Sequence, residues 1–128
     1  MNLSTEEQLS QHAWKARNNA DVRKTKVGCA LLGEDGKVYT GCNIEHDFCK
    51  SFHAEVVALM SMAKNKCNLF THLLIVAEMK QFTPCGDCLD WIVKYGSREG
   101  SFIGFQPTPT SEVTWYVLNT LTPFYPIK

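Results

Sequence analysis

Apolar and polar positions change period several times along the 128-residue chain, and each change marks an element. Over residues 4–19, Leu9, Ala13 and Ala16 recur at helical spacing. Ser4, with Glu7 three positions on, makes a capping-box pattern, so a helix is predicted with those three residues inward. Residues 27–32 read as a strand and residues 37–43 as its return. Between them Gly33-Glu34-Asp35-Gly36 carries the Asp-Gly hairpin signal. A second helix is predicted from His53, with Val56, Val57, Leu59, Met60 and Met62 wrapping most of its surface, as in a central, buried helix. Residues 72–78 form a continuous apolar run suited to a buried strand. Pro84 stands where a third helix can begin. Residues 102–106 and 113–117 suit two short strands, and a helical turn over 118–121 ends before Pro123.

The alternation predicts an α/β chain, a sheet sandwiched by helices. The length suits one domain spanning residues 1–128, with no repeat or linker. Thirteen basic residues balance thirteen acidic ones. Without a basic excess, a polynucleotide partner is disfavoured, because phosphate contacts supply most non-specific affinity for nucleic acid. The opening MNLSTEEQLS has two glutamates and no apolar centre, unlike a secretory leader. No apolar run approaches the ~20 residues of a membrane helix. The expected location is therefore the cytoplasm, where cysteines stay reduced and a close cysteine pair points to metal or redox chemistry rather than a disulfide framework. On this basis Cys29, Cys42 and Cys67 read as small core residues.

Two segments carry chemistry: His53-Ala54-Glu55 and Pro84-Cys85-Gly86-Asp87-Cys88. Together they form H-x-E followed by P-C-x-x-C, the zinc-deaminase signature. Catalytic zinc takes three protein ligands of nitrogen and sulfur type and keeps a fourth position for water. His53, Cys85 and Cys88 supply the three. Cys85 and Cys88 are one helical turn apart at a helix start, which places both thiols on one face and favours thiolate. The metal lowers the pKa of water to about 7, and Glu55 lies where it can carry protons without binding the metal.

Over nearly its whole length the chain resembles the small cytidine deaminases, most densely in VGCALLGEDGKVYTGCNIE, HAEVVAL and TPCGDC. The resemblance implies a three-layer α/β/α fold around a five-stranded mixed sheet. It implies hydrolytic conversion of cytidine and deoxycytidine to uridine and deoxyuridine, with Zn2+ as cofactor. Within Gly41-Cys42-Asn43-Ile44-Glu45, it implies that Asn43 and Glu45 bind the sugar 3′-hydroxyl. The Ala54 and Cys85 amides then meet the base carbonyl, and the Thr83 carbonyl receives the amine hydrogens. The Leu-Thr-Pro-Phe tail resembles that of tetrameric members, in which a C-terminal aromatic completes a neighbour's pocket. Phe124 or Tyr125 takes that role here, or packs as an ordinary C-terminal aromatic; the implied assembly is a homotetramer or a dimer.

The chain also departs from the family pattern. Tetrameric members usually place cysteine at the position of His53 and arginine at that of Val56. One imidazole with two thiolates gives a neutral zinc site that needs no arginine, whereas three thiolates leave one negative charge to offset. The usual aromatic before the first strand is absent from Arg23-Lys24-Thr25-Lys26-Val27. That basic run is either a solvated surface or a contact for an anionic substrate. Blasticidin S-type nucleosides, modified cytidines and CMP stay open as substrates. A structural zinc module and a CxxC redox protein are the readings outside deaminase chemistry. The structural module needs a fourth protein ligand and leaves Glu55 without a task; Cys49 is the nearest spare thiol.

Overall fold

The computed structural model describes residues 3–22, 25–45, 51–79, 84 and 86–122. Helix α1 (Leu3–Arg17) leads into the hairpin β1 (Gly28–Gly33) and β2 (Val38–Cys42). A two-stranded ribbon, β3 (Ile44–Glu45) and β4 (Ser51–Phe52), delivers the chain to α2 (Ala54–Lys64). Then come β5 (Phe70–Val76), α3 (Gly86–Tyr95), β6 (Phe102–Gln106), β7 (Thr114–Val117) and the short α4 (Leu118–Leu121).

Five strands form one sheet in the order β2-β1-β5-β6-β7. The β5–β6 pair is parallel and the other neighbours are antiparallel, so the sheet is mixed. Side chains of a strand alternate between its faces, and two core clusters result. Leu9 and Ala13 of α1 pack with Ala30, Leu74 and Val76 on one face. On the other, Cys29, Leu31, Leu73 and Ile75 pack under Ala54, Leu59 and Met62 of α2 and Cys88 and Ile92 of α3. The layers are thus α1, sheet, then α2 with α3, as the resemblance implied.

Because β1 runs antiparallel to both β2 and β5, the carboxyl ends of β2, β5 and β6 share one sheet edge. The first turns of α2 and α3 follow the chain out of β2 and β5 at that edge, where open α/β sheets build sites. Two glycines set how closely the layers meet. A Cβ on Gly28 would lie 2.8 Å from Arg17 Cβ, so α1 needs that space. A Cβ on Gly41 would lie 2.5 Å from the Ala58 nitrogen and also against the Ala54 carbonyl. Gly41 pairs with Cys29, the neighbour of Gly28, so the two helices close on adjacent positions from opposite faces.

Several expectations shift. Helix α1 already includes Leu3, ahead of the expected start at Ser4; residues 18 and 19 form a turn whose amides bond Lys15 and Ala16 carbonyls. Strand β5 starts at Phe70 because a register shift between Leu32 and Gly33 extends its pairing with β1. It stops at Val76, and Glu78 lies outside it. Met60 is 47% exposed, so α2 has a free flank despite its apolar surface. Cys29 and Cys67 are core residues, whereas Cys42 is only half-buried. The β3–β4 ribbon was not anticipated, because each strand is two residues long. Among the described residues no helix is long and apolar enough to cross a membrane.

If Gly41 sets the approach of α2, Gly41→Ala forces backbone to move. It should cost about 1–3 kcal/mol, the usual penalty of overpacking, read as a lower midpoint of urea unfolding. An unchanged midpoint would show that the contact yields easily.

Candidate metal and acid–base site

His53 is the N-cap of α2, with extended backbone (φ −77°, ψ 154°) and no side-chain capping bond. The imidazole is therefore not engaged in closing its own helix. Its Nδ1 lies 3.1 Å from the sulfur of Cys88, in the first turn of α3. Cys88 is fully buried, while His53 is exposed. The pair thus sits at the boundary between core and solvent, where two helix N-termini meet.

Glu55, in the first turn of α2, is buried at 6% exposure. Burial pushes its carboxyl above the usual carboxylate range. Its own backbone amide, the Cys88 thiol and the His53 ring act in the opposite direction. Glu55, His53 and Cys88 are therefore one interacting group. Cys29, on the strand below, senses the same carboxylate: burial first, and Glu55 second, push its thiol well up and hold it neutral. The sequence marked Cys29 only as core. The alternation of β1, which turns residues 29 and 31 toward α2, was the signal that could have placed it under the site.

The donors suit zinc. Ligands held about 2.0 Å (nitrogen) and 2.3 Å (sulfur) from one tetrahedral ion stand about 3.5 Å apart, close to the observed His53–Cys88 separation. Among the described residues, no three His, Cys, Asp or Glu side chains form a metal cluster, and these two are the expected ligands that meet. The expected third ligand, Cys85, lies outside the described residues, as do Thr83 and Phe124. So do Arg23, Lys24 and Cys49. Pro84 is described and buried, two positions before α3 begins.

Asn43 links β2 to the ribbon and Glu45 ends β3, both at the same sheet edge. Asn43 is closely engaged with backbone: Oδ1 accepts from the Val27 amide at 2.9 Å and Nδ2 donates to the Thr25 carbonyl at 2.8 Å. Half-buried Glu45 pairs with Ser51 on β4, two residues before His53, and its amide donates to the Asp21 carbonyl at 3.0 Å. Ala54 is fully buried and opens α2, so its N–H is among the first-turn amides that a helix cannot satisfy internally. Trp91 packs against the core cluster that contains Cys88, and Trp115 against the cluster on the other face of the sheet. Trp91 is half-buried and stacks on Tyr95, and Trp115 donates from Nε1 to Glu6 at 2.8 Å.

Residues 3–103 match the family model described as the cytidine and deoxycytidylate deaminase zinc-binding region. A cytidine deaminase of Sporosarcina psychrophila is 37% identical over 93 residues, covering 70% of this chain and 68% of that protein. A probable cytidine deaminase of Dictyostelium discoideum is 30% identical over 77 residues, 58% of this chain and 52% of that one. The crystal structure of cytidine deaminase from Burkholderia pseudomallei superposes with a TM-score of 0.81 at 26% identity, covering 97% of this chain and 98% of that one.

The donor chemistry yields a direct expectation. His53→Ala and Cys88→Ala should purify with most of their zinc lost, whereas His53→Cys, which replaces one good ligand by another, should retain it. Zinc content by elemental analysis checks this; full zinc in His53→Ala would remove His53 from the ligand set.

Proposed function

Since the chain belongs to the cytidine and deoxycytidylate deaminase family, we propose that it is a zinc-dependent hydrolytic deaminase, converting cytidine and deoxycytidine to uridine and deoxyuridine with release of ammonia. The observation that carries this reading is the meeting of His53 Nδ1 and Cys88 Sγ at 3.1 Å beside the buried carboxylate of Glu55. A structural zinc module gives no reason to bury an acid there. A redox pair gives no reason for the imidazole.

His53, Cys85 and Cys88 hold the metal in this reading. Bound zinc supplies the Lewis acidity that makes hydroxide available at neutral pH. Glu55 does the proton work. Its carboxylate takes the proton released as water adds to the carbon bearing the amine and passes it to the ring nitrogen; it then takes the proton of the new hydroxyl on that carbon and delivers it to the amine, so that the C–N bond breaks, the C=O bond forms and ammonia leaves. Burial of Glu55 at 6% exposure limits exchange with bulk water while the carboxyl carries each proton. Asn43 and Glu45 receive the sugar hydroxyl, the Ala54 and Cys85 amides the base carbonyl, and the Thr83 carbonyl the amine hydrogens. The resemblance supports these assignments, and for Asn43, Glu45 and Ala54 so does their place at one sheet edge. Residues 1–128 act as one domain in a cytoplasmic homotetramer or dimer serving pyrimidine salvage, with Phe124 reaching a neighbouring subunit's pocket.

Ammonia release from cytidine, deoxycytidine, cytosine, CMP and blasticidin S tests the reading. The two nucleosides should be turned over, and Glu55→Gln should lower kcat by about 10²–10⁴, the usual worth of a positioned acid–base group, with zinc retained. Turnover of CMP or blasticidin S in their place would move the substrate. Turnover unaffected by Glu55→Gln would contradict the assigned chemistry.

A further inference from the structure

Three consecutive carbonyls just before β1 are each held by a specific donor. The Thr25 carbonyl accepts from Asn43 Nδ2 at 2.8 Å, the Lys26 carbonyl from Arg17 Nε at 3.1 Å, and the Val27 carbonyl from the Asn43 amide at 3.2 Å. The Val27 amide donates in turn to Asn43 Oδ1 at 2.9 Å. Thr25 and Lys26 are exposed. Exposed backbone ordinarily bonds to water, so pinning each of these groups marks a segment whose position matters.

Arg17 is itself held from three sides. Its backbone lies against Gly28, where a Cβ would come within 2.9 Å of the Arg17 nitrogen. Its guanidinium sits over the Trp14 ring at 5.4 Å, and Nη1 reaches Glu78 beyond the end of β5 at 3.6 Å. The Arg17 side chain is 19% exposed, whereas that of Glu78 is 68% exposed. The ion pair with Glu78 is therefore weak, and the stronger constraint on the guanidinium is its directed bond to backbone.

The held segment borders the proposed site. Val27 packs against the core cluster that contains Ala54 and Cys88, on the α2 face of the sheet. Asn43 closes the opposite side of the segment and leads into Ile44 and Glu45. We propose that Arg17 and Asn43 form a clamp fixing residues 25–27 as one wall of the substrate cleft, and that Arg17 is a positioning residue for substrate binding that touches neither substrate nor metal. This rests on the deaminase reading. Asn43 retains one lone pair on Oδ1 and one hydrogen on Nδ2 for the sugar, so wall and sugar contact share one amide. The wall loses its register if either clamp residue is changed.

The test compares zinc-loaded wild type with Arg17→Met, Arg17→Lys and Glu78→Gln. Arg17→Met keeps a long stem over Trp14 without the donor. Arg17→Lys keeps the charge but not the planar Nε–H. Both should raise KM for cytidine about tenfold, the size expected when a charge-assisted hydrogen bond is lost. With kcat and zinc content unchanged, that pattern marks lost uniform binding. Glu78→Gln should leave KM at the wild-type value. Amide exchange at Val27, measured on the zinc-loaded protein without substrate, should quicken in both Arg17 variants. If Arg17→Met does not fold, Arg17→Lys decides. An unchanged KM in the Arg17 variants, a fall in kcat alone, a wild-type KM in Arg17→Lys, or an equal rise in Glu78→Gln overturns the clamp. If the wild type turns over none of the nucleosides, the deaminase reading fails. The exchange rates then still report whether Arg17 holds the segment.

Discussion

The first turn of α2 lies directly on the backbone of β2 at Gly41, in the space a side chain would fill. That approach fixes the height of the helix N-terminus above the sheet, and with it the positions of His53 and Glu55. Gly28, beside the Gly41–Cys29 pair on the neighbouring strand, admits α1 on the other face in the same way. Helix α3 enters at the same sheet edge because β5 runs parallel to β2, both being antiparallel to β1. A metal site assembled from two helix starts needs this agreement. A shift of one strand position would turn the core residues of β1 outward and carry His53 away from Cys88.

The electrostatics follow from that placement. A carboxylate at a helix N-terminus is favoured by the helix dipole, yet Glu55 is buried, and burial drives its carboxyl upward. The chain sets a neutral thiol, Cys29, below it and the ring and sulfur of His53 and Cys88 beside it. An apolar residue at position 55 would satisfy the core more cheaply. Local rules of burial give way at sites where chemistry requires a particular group. In the proposed chemistry, one imidazole and two thiolates around zinc give a neutral centre. Val56, next in the chain to Glu55, is buried at 5% exposure and adds no charge beside it.

Much of this was legible in the residues. The β1–β2 hairpin followed from Asp35-Gly36, and Gly36 takes φ 81°, a conformation that L side chains rarely adopt. Strand β6 and the turn α4 lie where the hydrophobic pattern put them. The H-x-E and P-C-x-x-C segments announced the donors, and the structure brings His53, Glu55 and Cys88 together. Other features depend on tertiary contacts that leave no local trace. The β3–β4 ribbon is too short to show a period, and the exposed flank of α2 at Met60 has the same apolar residue type as its buried one. No local pattern set Arg17 apart from other residues of α1. Its role arises only where Gly28 brings it under the Lys26 carbonyl. Asn43 was marked as a sugar contact, and its hold on the backbone of Thr25 and Val27 depends on the turn of chain between α1 and β1.

The central claim is that two helix starts build one open zinc site from one nitrogen and two sulfurs. X-ray absorption at the zinc edge of the metal-loaded protein tests it most directly. The account predicts one imidazole nitrogen at about 2.0 Å, two sulfurs at about 2.3 Å and one exchangeable light atom completing a tetrahedron. A shell of three or four sulfurs, or of four protein ligands with no exchangeable position, would contradict it.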